Sequence, residues 1–214
     1  MRAVIFANGI MKSWPPDFHL SLEEDLIIAA DGGYSHCKRW NLKPHLIVGD
    51  MDSIMESDLA ALEETRVRIL RFPAQKDETD LELAIQAAID RQATEIVVLG
   101  ALGQRWDMTL SNVLILTIPL LQHVDARILD GPHEFVCLQG SGKINLYGDV
   151  GHHLSLIPLG GPITGVSLLG TAYSLDKATL PMGTSRGISN SFREKRVEVE
   201  IEAGQLLIVI SRVG

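Results

Sequence analysis

Two domains are predicted for this chain: an α/β N-terminal domain with a mostly parallel, Rossmann-like sheet over residues 1–131, and an all-β C-terminal sandwich or barrel over residues 132–214. Three observations predict them. Up to about Asp130, short β-branched runs alternate with helical patterns, the rhythm of βαβ units and a parallel sheet. Past Asp130-Gly131-Pro132, apolar runs are separated by turns containing Gly and Pro, without a convincing helix, as in antiparallel β architectures. In the first part, Asp and Gly recur directly after the apolar runs, where open α/β sheets place their ligand crevices.

The N-terminal strands are expected at Arg2 to Ala7, Leu26 to Ala30, His45 to Val48, Val67 to Arg71, Glu95 to Leu99 and Ala126 to Leu129. The clearest helix is Asp80 to Arg91. Leu81, Ala84, Ile85 and Ala88 share one face, and Thr79 with Glu82 has the spacing of a capping box. The C-terminal strands are expected at His133 to Leu138, Lys143 to Tyr147, His152 to Pro158, Ile163 to Leu168, Lys195 to Ile201 and Gln205 to Ile210. A C-terminal unit of that size is small for an independent fold, so packing against the other domain or a second subunit is expected.

Composition narrows the function. The formal charge is −8, and Lys and Arg are scattered rather than gathered in a stripe, which disfavours nucleic acid as a partner. An anionic nucleotide remains compatible, because Mg2+ and a few local cations reverse the field at a site. The two cysteines, Cys37 and Cys137, read as small apolar residues rather than a disulfide framework. The apolar run at the N-terminus is too short for a signal peptide, and the longest one, Val113 to Leu121, falls short of the roughly 20 residues of a membrane helix. No membrane association is expected, and the protein is placed in the cytoplasm.

Gly49-Asp50-Met51-Asp52-Ser53 follows the apolar run Leu46-Ile47-Val48. In extended backbone, residues two apart project to the same side, so Asp50 and Asp52 converge just past a strand end. Two carboxylates there repel unless a cation sits between them, and Mg2+ is the hard cation held by one or two carboxylates while phosphates and water complete its shell. Ala30-Asp31-Gly32-Gly33, Lys76-Asp77-Glu78-Thr79-Asp80 and Gly103-Gln104-Arg105-Trp106-Asp107 repeat the theme. Asp77 and Asp80 lie at a helix N-terminus, where capping is the alternative to metal binding. No Gly-x-x-x-x-Gly-Lys-Ser/Thr sequence occurs, so the acidic loops and a metal take over the work of a phosphate-cradling loop.

The order of these motifs, continued through Asn112 and by Gly170-Thr171-Ala172-Tyr173-Ser174-Leu175, Leu180, Gly183 and Gly187-Ile188-Ser189-Asn190, resembles the thiamine pyrophosphokinase family over nearly the whole chain. The resemblance implies transfer of a diphosphoryl group from ATP to the hydroxyethyl oxygen of thiamine, giving thiamine diphosphate and AMP. It implies that Asp50, Asp52, Asp77 and Asp80 hold Mg2+ on the phosphates and that Arg105 stabilises phosphate charge. Asp31, Gly32, Gly33, Ser53 and Lys76 join them around ATP. Asp107 and Asn112 contact nucleotide or metal, or brace the helix that begins there. It further implies a homodimer with thiamine held between the catalytic domain of one subunit and the β-domain of the other, Tyr173 stacking on the vitamin and Ser189 with Asn190 hydrogen-bonding its pyrimidine edge.

Two residues depart from the family's Gly-Gly-Arg-x-Asp-His pattern: Gln104 replaces a glycine and Met108 a histidine. A thioether carries no charge and donates no proton, so a role resting on that histidine does not transfer. Three rival readings stand beside the kinase: a pyrophosphokinase for another hydroxymethyl heterocycle such as a pterin, a nucleotide or thiamine sensor without turnover, and a metal-dependent phosphohydrolase.

Overall fold

The computed structural model describes residues 1–65 and 67–213, Glu63 by its backbone only. The chain divides into two compact units, Met1–Gly131 and Pro132–Gly214.

In the first unit the strands are β1 (Arg2–Phe6), β2 (Leu26–Ala30), β3 (Leu46–Gly49), β4 (Arg68–Arg71), β5 (Glu95–Leu99) and β6 (Asp125–Asp130). They form a parallel sheet in the order β4-β3-β2-β1-β5-β6. The helices are α1 (Tyr34–Arg39), α2 (Glu56–Glu63), α3 (Asp80–Ile89) and α4 (Trp106–Leu114). The inner strands bury both faces, which explains their near-continuous apolar sequences. Val4, Phe6, Ile27, Ala29, Ile47, Val97 and Leu99 build the core on one face with Trp14, Phe18 and Trp40 around them. Helix α3 packs on β2 and β3 and buries Leu81, Ala84, Ile85, Ala87 and Ala88. Its start is fixed by Thr79, whose Oγ1 accepts the Glu82 N–H at 3.2 Å. Strand β4 is the sheet edge, and its terminal Arg68 and Arg71 are exposed, a charge pattern that blunts strand addition.

Chain order reverses between β1 and β5. The chain moves outward from β1 through β2, β3 and β4, then crosses back to place β5 on the other side of β1. At such a switch point the loops after neighbouring strands turn away from each other and leave a crevice at the carboxyl ends.

The second unit contains β7 (His133–Gln139), β8 (Gly142–Tyr147), β9 (His153–Leu169), β10 (Leu175–Leu180), β11 (Asn190–Ser191), β12 (Arg196–Ile201) and β13 (Ala203–Ser211). Every pairing among them is antiparallel, in the order β7-β13-β9-β12-β8 with β10 and β11 also on β9. The two strands expected at His152 to Pro158 and Ile163 to Leu168 are one continuous 17-residue strand. Its first part, through Leu159, pairs in continuous register with β13, and its last part pairs with β10 and β12, with Thr164 opposite Ala203 of β13 across a register shift. Gly160, at φ +68, lies at the change of partner. The Gly-Gly-Pro that reads as a turn is therefore a corner that carries one strand from one sheet to the next. Strand β10 escaped the pattern reading because Asp176 and Lys177 interrupt its alternation, and Lys177 sits at φ +43. The core is built by Leu154, Leu156, Ile163, Val166, Leu168 and Phe192 with residues of β12 and β13.

Candidate active site

The carboxyl ends of β1, β2 and β5, together with the start of α3, enclose a cleft of about 580 Å3 at the switch point. Strand β1 delivers Asn8 and Gly9. Strand β2 delivers Asp31, strand β5 the stretch from Ala101 to Arg105, and α3 contributes Asp80 and Leu81. Asp31-Gly32-Gly33 forms a tight 3-10 turn pressed against the end of β1. A Cβ on Gly33 would fall 1.9 Å from the Phe6 carbonyl oxygen, and one on Gly32 2.4 Å from the Asn8 amide. Close approach of two backbones is thus a sufficient reason for Gly33, whereas at Gly32 the neighbour is the Asn8 side chain.

Asp31, Asp50 and Asp52 bring one carboxylate oxygen each to within 4.8 Å of one another. Register explains Asp31: Ala30 of β2 pairs with Val48 of β3, so the residues that follow the two strands emerge side by side. Asp31 is only 4% exposed, and its Oδ1 is buried without a hydrogen-bond partner. Asp50 and Asp52 converge by a different route from the extended one expected. Met51 is left-handed at φ +68, and Asp50 Oδ1 accepts the Asp52 N–H at 3.2 Å, so a tight Asx-type turn folds the two carboxylates together. Ser53 Oγ donates to Asp52 Oδ1 at 3.0 Å. Asp31 is also at positive φ, +43, so two non-glycine residues of this site hold sparsely populated backbone conformations. Such outliers gather where surrounding structure enforces a functional geometry.

Asp80, the first residue of α3, and Lys76, in the segment that leads into it, form an ion pair at 2.9 Å. Burial pushes the Asp80 carboxyl above the usual range, and the Asp31 and Asp50 charges push it further, while Lys76 pulls it back. The Lys76 ammonium is itself held above its ordinary value: burial lowers it, and Asp80, Asp50 and Asp31 together outweigh that effect. Gly49 allows this approach, since a Cβ there would meet Asp80 Oδ1 at 3.1 Å. Asp77 is exposed and does not belong to the carboxylate trio.

On the far wall, Arg105 precedes α4 and is exposed, paired with the exposed Asp107 at 2.6 Å. The guanidinium keeps the Asp107 carboxyl below its usual range. Asn112 is buried; its Nδ2 donates to the Ala101 carbonyl at 2.7 Å, and its Oδ1 is buried without a partner. Gln104 and Met108 both line the cleft. Thr109 ties the loop after β5 to α4, its Oγ1 accepting the Gly103 N–H at 3.1 Å and donating to the Gly103 carbonyl at 3.2 Å. Sequence reasoning had missed Asn8 and Thr109 as site residues. Asn8-Gly9 follows an apolar run just as the acidic motifs do, which was the available signal.

In the second unit, Tyr173 and the segment Arg186–Ile188 flank a cleft of about 290 Å3. Tyr173 is 74% exposed. Asn190 is 3% exposed and clamps the Tyr173 backbone: its Oδ1 accepts the Tyr173 N–H at 3.0 Å and its Nδ2 donates to the Tyr173 carbonyl at 2.7 Å. The same Oδ1 accepts the Ser191 N–H, and Nδ2 also reaches Thr171 Oγ1. Ser189 is exposed at φ +58, its N–H donating to Ser155 Oγ.

Fold and site together define a class: an open parallel α/β unit with an acidic cleft at its switch point, joined in one chain to an antiparallel β unit. The family model for the thiamin pyrophosphokinase catalytic domain matches residues 19–128, and that for the thiamin pyrophosphokinase vitamin B1 binding domain matches residues 142–206. The chain belongs to the thiamin pyrophosphokinase family. A thiamine pyrophosphokinase of Bacillus subtilis is 26% identical over 213 residues, 99% of each chain. The crystal structure of thiamine pyrophosphokinase from Bacillus subtilis superposes with a TM-score of 0.87 at 25% identity, covering 100% of both chains. That of a thiamin pyrophosphokinase family protein from Enterococcus faecalis gives 0.85 at 25% identity, again over 100% of both.

Proposed function

We infer that the protein is a thiamine diphosphokinase. It transfers the terminal diphosphoryl group of ATP to the hydroxyethyl oxygen of thiamine and releases AMP. The observation that carries this reading is the convergence of Asp31, Asp50 and Asp52 beside a nucleotide-sized cleft, in a chain whose β unit matches the vitamin B1 binding domain. In the reaction the thiamine oxygen attacks the β-phosphorus of ATP. The bond between that phosphorus and the oxygen bridging to the α-phosphorus breaks, AMP departs with the bridging oxygen, and the hydroxyl proton is lost. Positioning and charge neutralisation account for most of such a rate.

Mg2+ fits the trio: three carboxylates repel at this separation without a cation, and the buried, unpartnered Asp31 Oδ1 is an oxygen awaiting a ligand. Asp50 and Asp52 would hold the ion with Asp31, and Asp80, paired with Lys76, would add to the charge around it. Asp77 is the outlying member of this reading. When bound, Mg2+ neutralises charge on the transferring phosphates. Lys76 adds a fixed positive charge among these acids, and Arg105 at the rim turns from Asp107 to the phosphates. Residues 1–131 thus form the catalytic, nucleotide-binding domain, with Gly32, Gly33, Ser53 and Asn112 shaping the ATP cleft.

Residues 132–214 form the thiamine-binding domain. Tyr173 offers its exposed ring to the flat, cationic vitamin. Ser189 supplies a polar contact, whereas Asn190 has its amide committed to the Tyr173 backbone and serves by holding that ring in place. Tyr173→Ala is expected to raise the KM for thiamine about tenfold, the loss of roughly 1.4 kcal/mol of stacking, with the KM for ATP unchanged; steady-state kinetics check it, and an unchanged thiamine KM removes Tyr173 from the site.

We also propose a homodimer. Trp106, Leu110 and Leu114, one helical turn apart on α4, are 74%, 59% and 46% exposed, an apolar stripe suited to burial against a second copy. Sedimentation velocity is expected to give the mass of two chains, and a monomer at micromolar concentration contradicts this. Residence in the cytoplasm fits the two free cysteines, and among the described residues no helix is long and apolar enough to cross a membrane. Acceptor identity is tested by direct competition: thiamine should be turned over in preference to a hydroxymethyl pterin, and preference for the pterin overturns the assignment.

A further inference from the structure

The amino ends of the N-terminal strands carry a second concavity of about 770 Å3, larger than the acidic cleft of about 580 Å3 at their carboxyl ends. Its floor is apolar: the half-buried Leu26 and the exposed Met1 and Leu22 offer accessible surface over the buried Ile27 and Leu46. Its rim carries the cations Lys43, Arg68 and Arg91 together with His45, and among the described residues no Asp or Glu lines it. In a chain of net charge −8 this is a local reversal of sign.

The rim cations keep their charge available. Among the described residues the Lys43 and Arg68 side chains have no hydrogen-bond or ion-pair partner, and Arg91 donates only to the Ala87 carbonyl at 2.8 Å. Register explains why they gather: Arg68 opens β4 beside Leu46 at the start of β3, and Lys43 lies just ahead of that strand. His45 completes the rim. Its Nδ1 accepts the Ile27 N–H at 3.0 Å, which fixes the neutral ring as the tautomer with the proton on Nε2. Lys and Arg have no acceptors, and His45 has spent its only one, so apart from the Asn41 amide the rim side chains are donors. Donors around an apolar floor fit an anionic group on an apolar body.

We propose that this concavity binds a small amphiphilic anion, its apolar body on Met1, Leu22 and Leu26 and its carboxylate or phosphate on Lys43, Arg68 and Arg91. The site is separate from the acidic cleft. Strand β3 runs from Leu46 here to Gly49 at the opposite edge, and at about 3.3 Å per residue Asp50 lies roughly 13 Å further along the chain. An occupant therefore does not compete with a ligand of the cleft.

The test is isothermal titration calorimetry with decyl phosphate, decanoate and the neutral decanol, below their aggregation limits and with saturating Mg-ATP present. The variant is Lys43→Glu with Arg68→Glu, both exposed side chains outside the cleft. At least one anion should bind saturably with one site per chain, about tenfold or more tighter than decanol, and about tenfold or more weaker in the variant. The two anions distinguish a phosphate from a carboxylate headgroup. Absence of saturable binding by either anion, equal binding of decanol, or an affinity unchanged in the variant each overturns the proposal.

Discussion

Asp52→Asn is expected to lower the rate of thiamine diphosphate formation on the order of 10³-fold at saturating substrates. A bound metal contributes several kcal/mol of charge stabilisation to phosphoryl transfer, and each 1.36 kcal/mol is tenfold in rate. The substitution keeps shape and removes one of the three converging negative charges. Asp52 is exposed, and its side chain accepts only from Ser53, so the fold does not depend on its charge. Removing like-charge repulsion also predicts that, in EDTA, the unfolding midpoint of the variant is equal to or above that of the unsubstituted protein. Near-normal turnover with an unchanged Mg2+ response would contradict the metal assignment. A large loss of stability would mean that the carboxylate is structural.

Gly33→Ala carries the largest expected effect on stability, about 3 kcal/mol of destabilisation in urea unfolding. Its backbone is right-handed, φ −56 and ψ −19, so an alanine costs nothing in dihedral strain there. The cost is contact: the new Cβ lands 1.9 Å from the Phe6 carbonyl, a backbone atom of the central strand with no rotamer to move into. Gly161→Ala is the matched control. Nothing lies within 4 Å of its Cβ position, and the expected change is within about 0.5 kcal/mol. Equal effects at the two positions would refute the close-approach argument for the Asp-Gly-Gly turn.

These cases show what the residues reveal by themselves. Strands β2 and β5 are bounded by local signals, apolar β-branched runs ending in Ala30-Asp31 and Leu99-Gly100, and the sequence expectation matches their ends. The start of α3 was equally legible, because a Thr cap acts within one turn. The motif order alone places Asp31 in the nucleotide loop. Its membership of the carboxylate trio depends on β2 and β3 being register partners, a long-range pairing that no local pattern encodes. Asp77 and Asp80 look alike in sequence, yet the helix that starts at Asp80 turns only that one toward β3. The role of Asn190 was hidden for a similar reason: its hydrogen bonds close on Tyr173, 17 residues away, across a loop whose path depends on β9. The continuous β9 was hidden by Gly160-Gly161-Pro162, whose local chemistry is that of a turn until a second sheet is present to receive the strand.

The most direct test of the central claim is phosphorus NMR of the purified protein with ATP, Mg2+ and thiamine, beside a control lacking thiamine. Thiamine-dependent appearance of AMP together with thiamine diphosphate is the predicted result. ADP as the leaving nucleotide, phosphate released in the control, or ligand binding with no turnover would contradict diphosphoryl transfer.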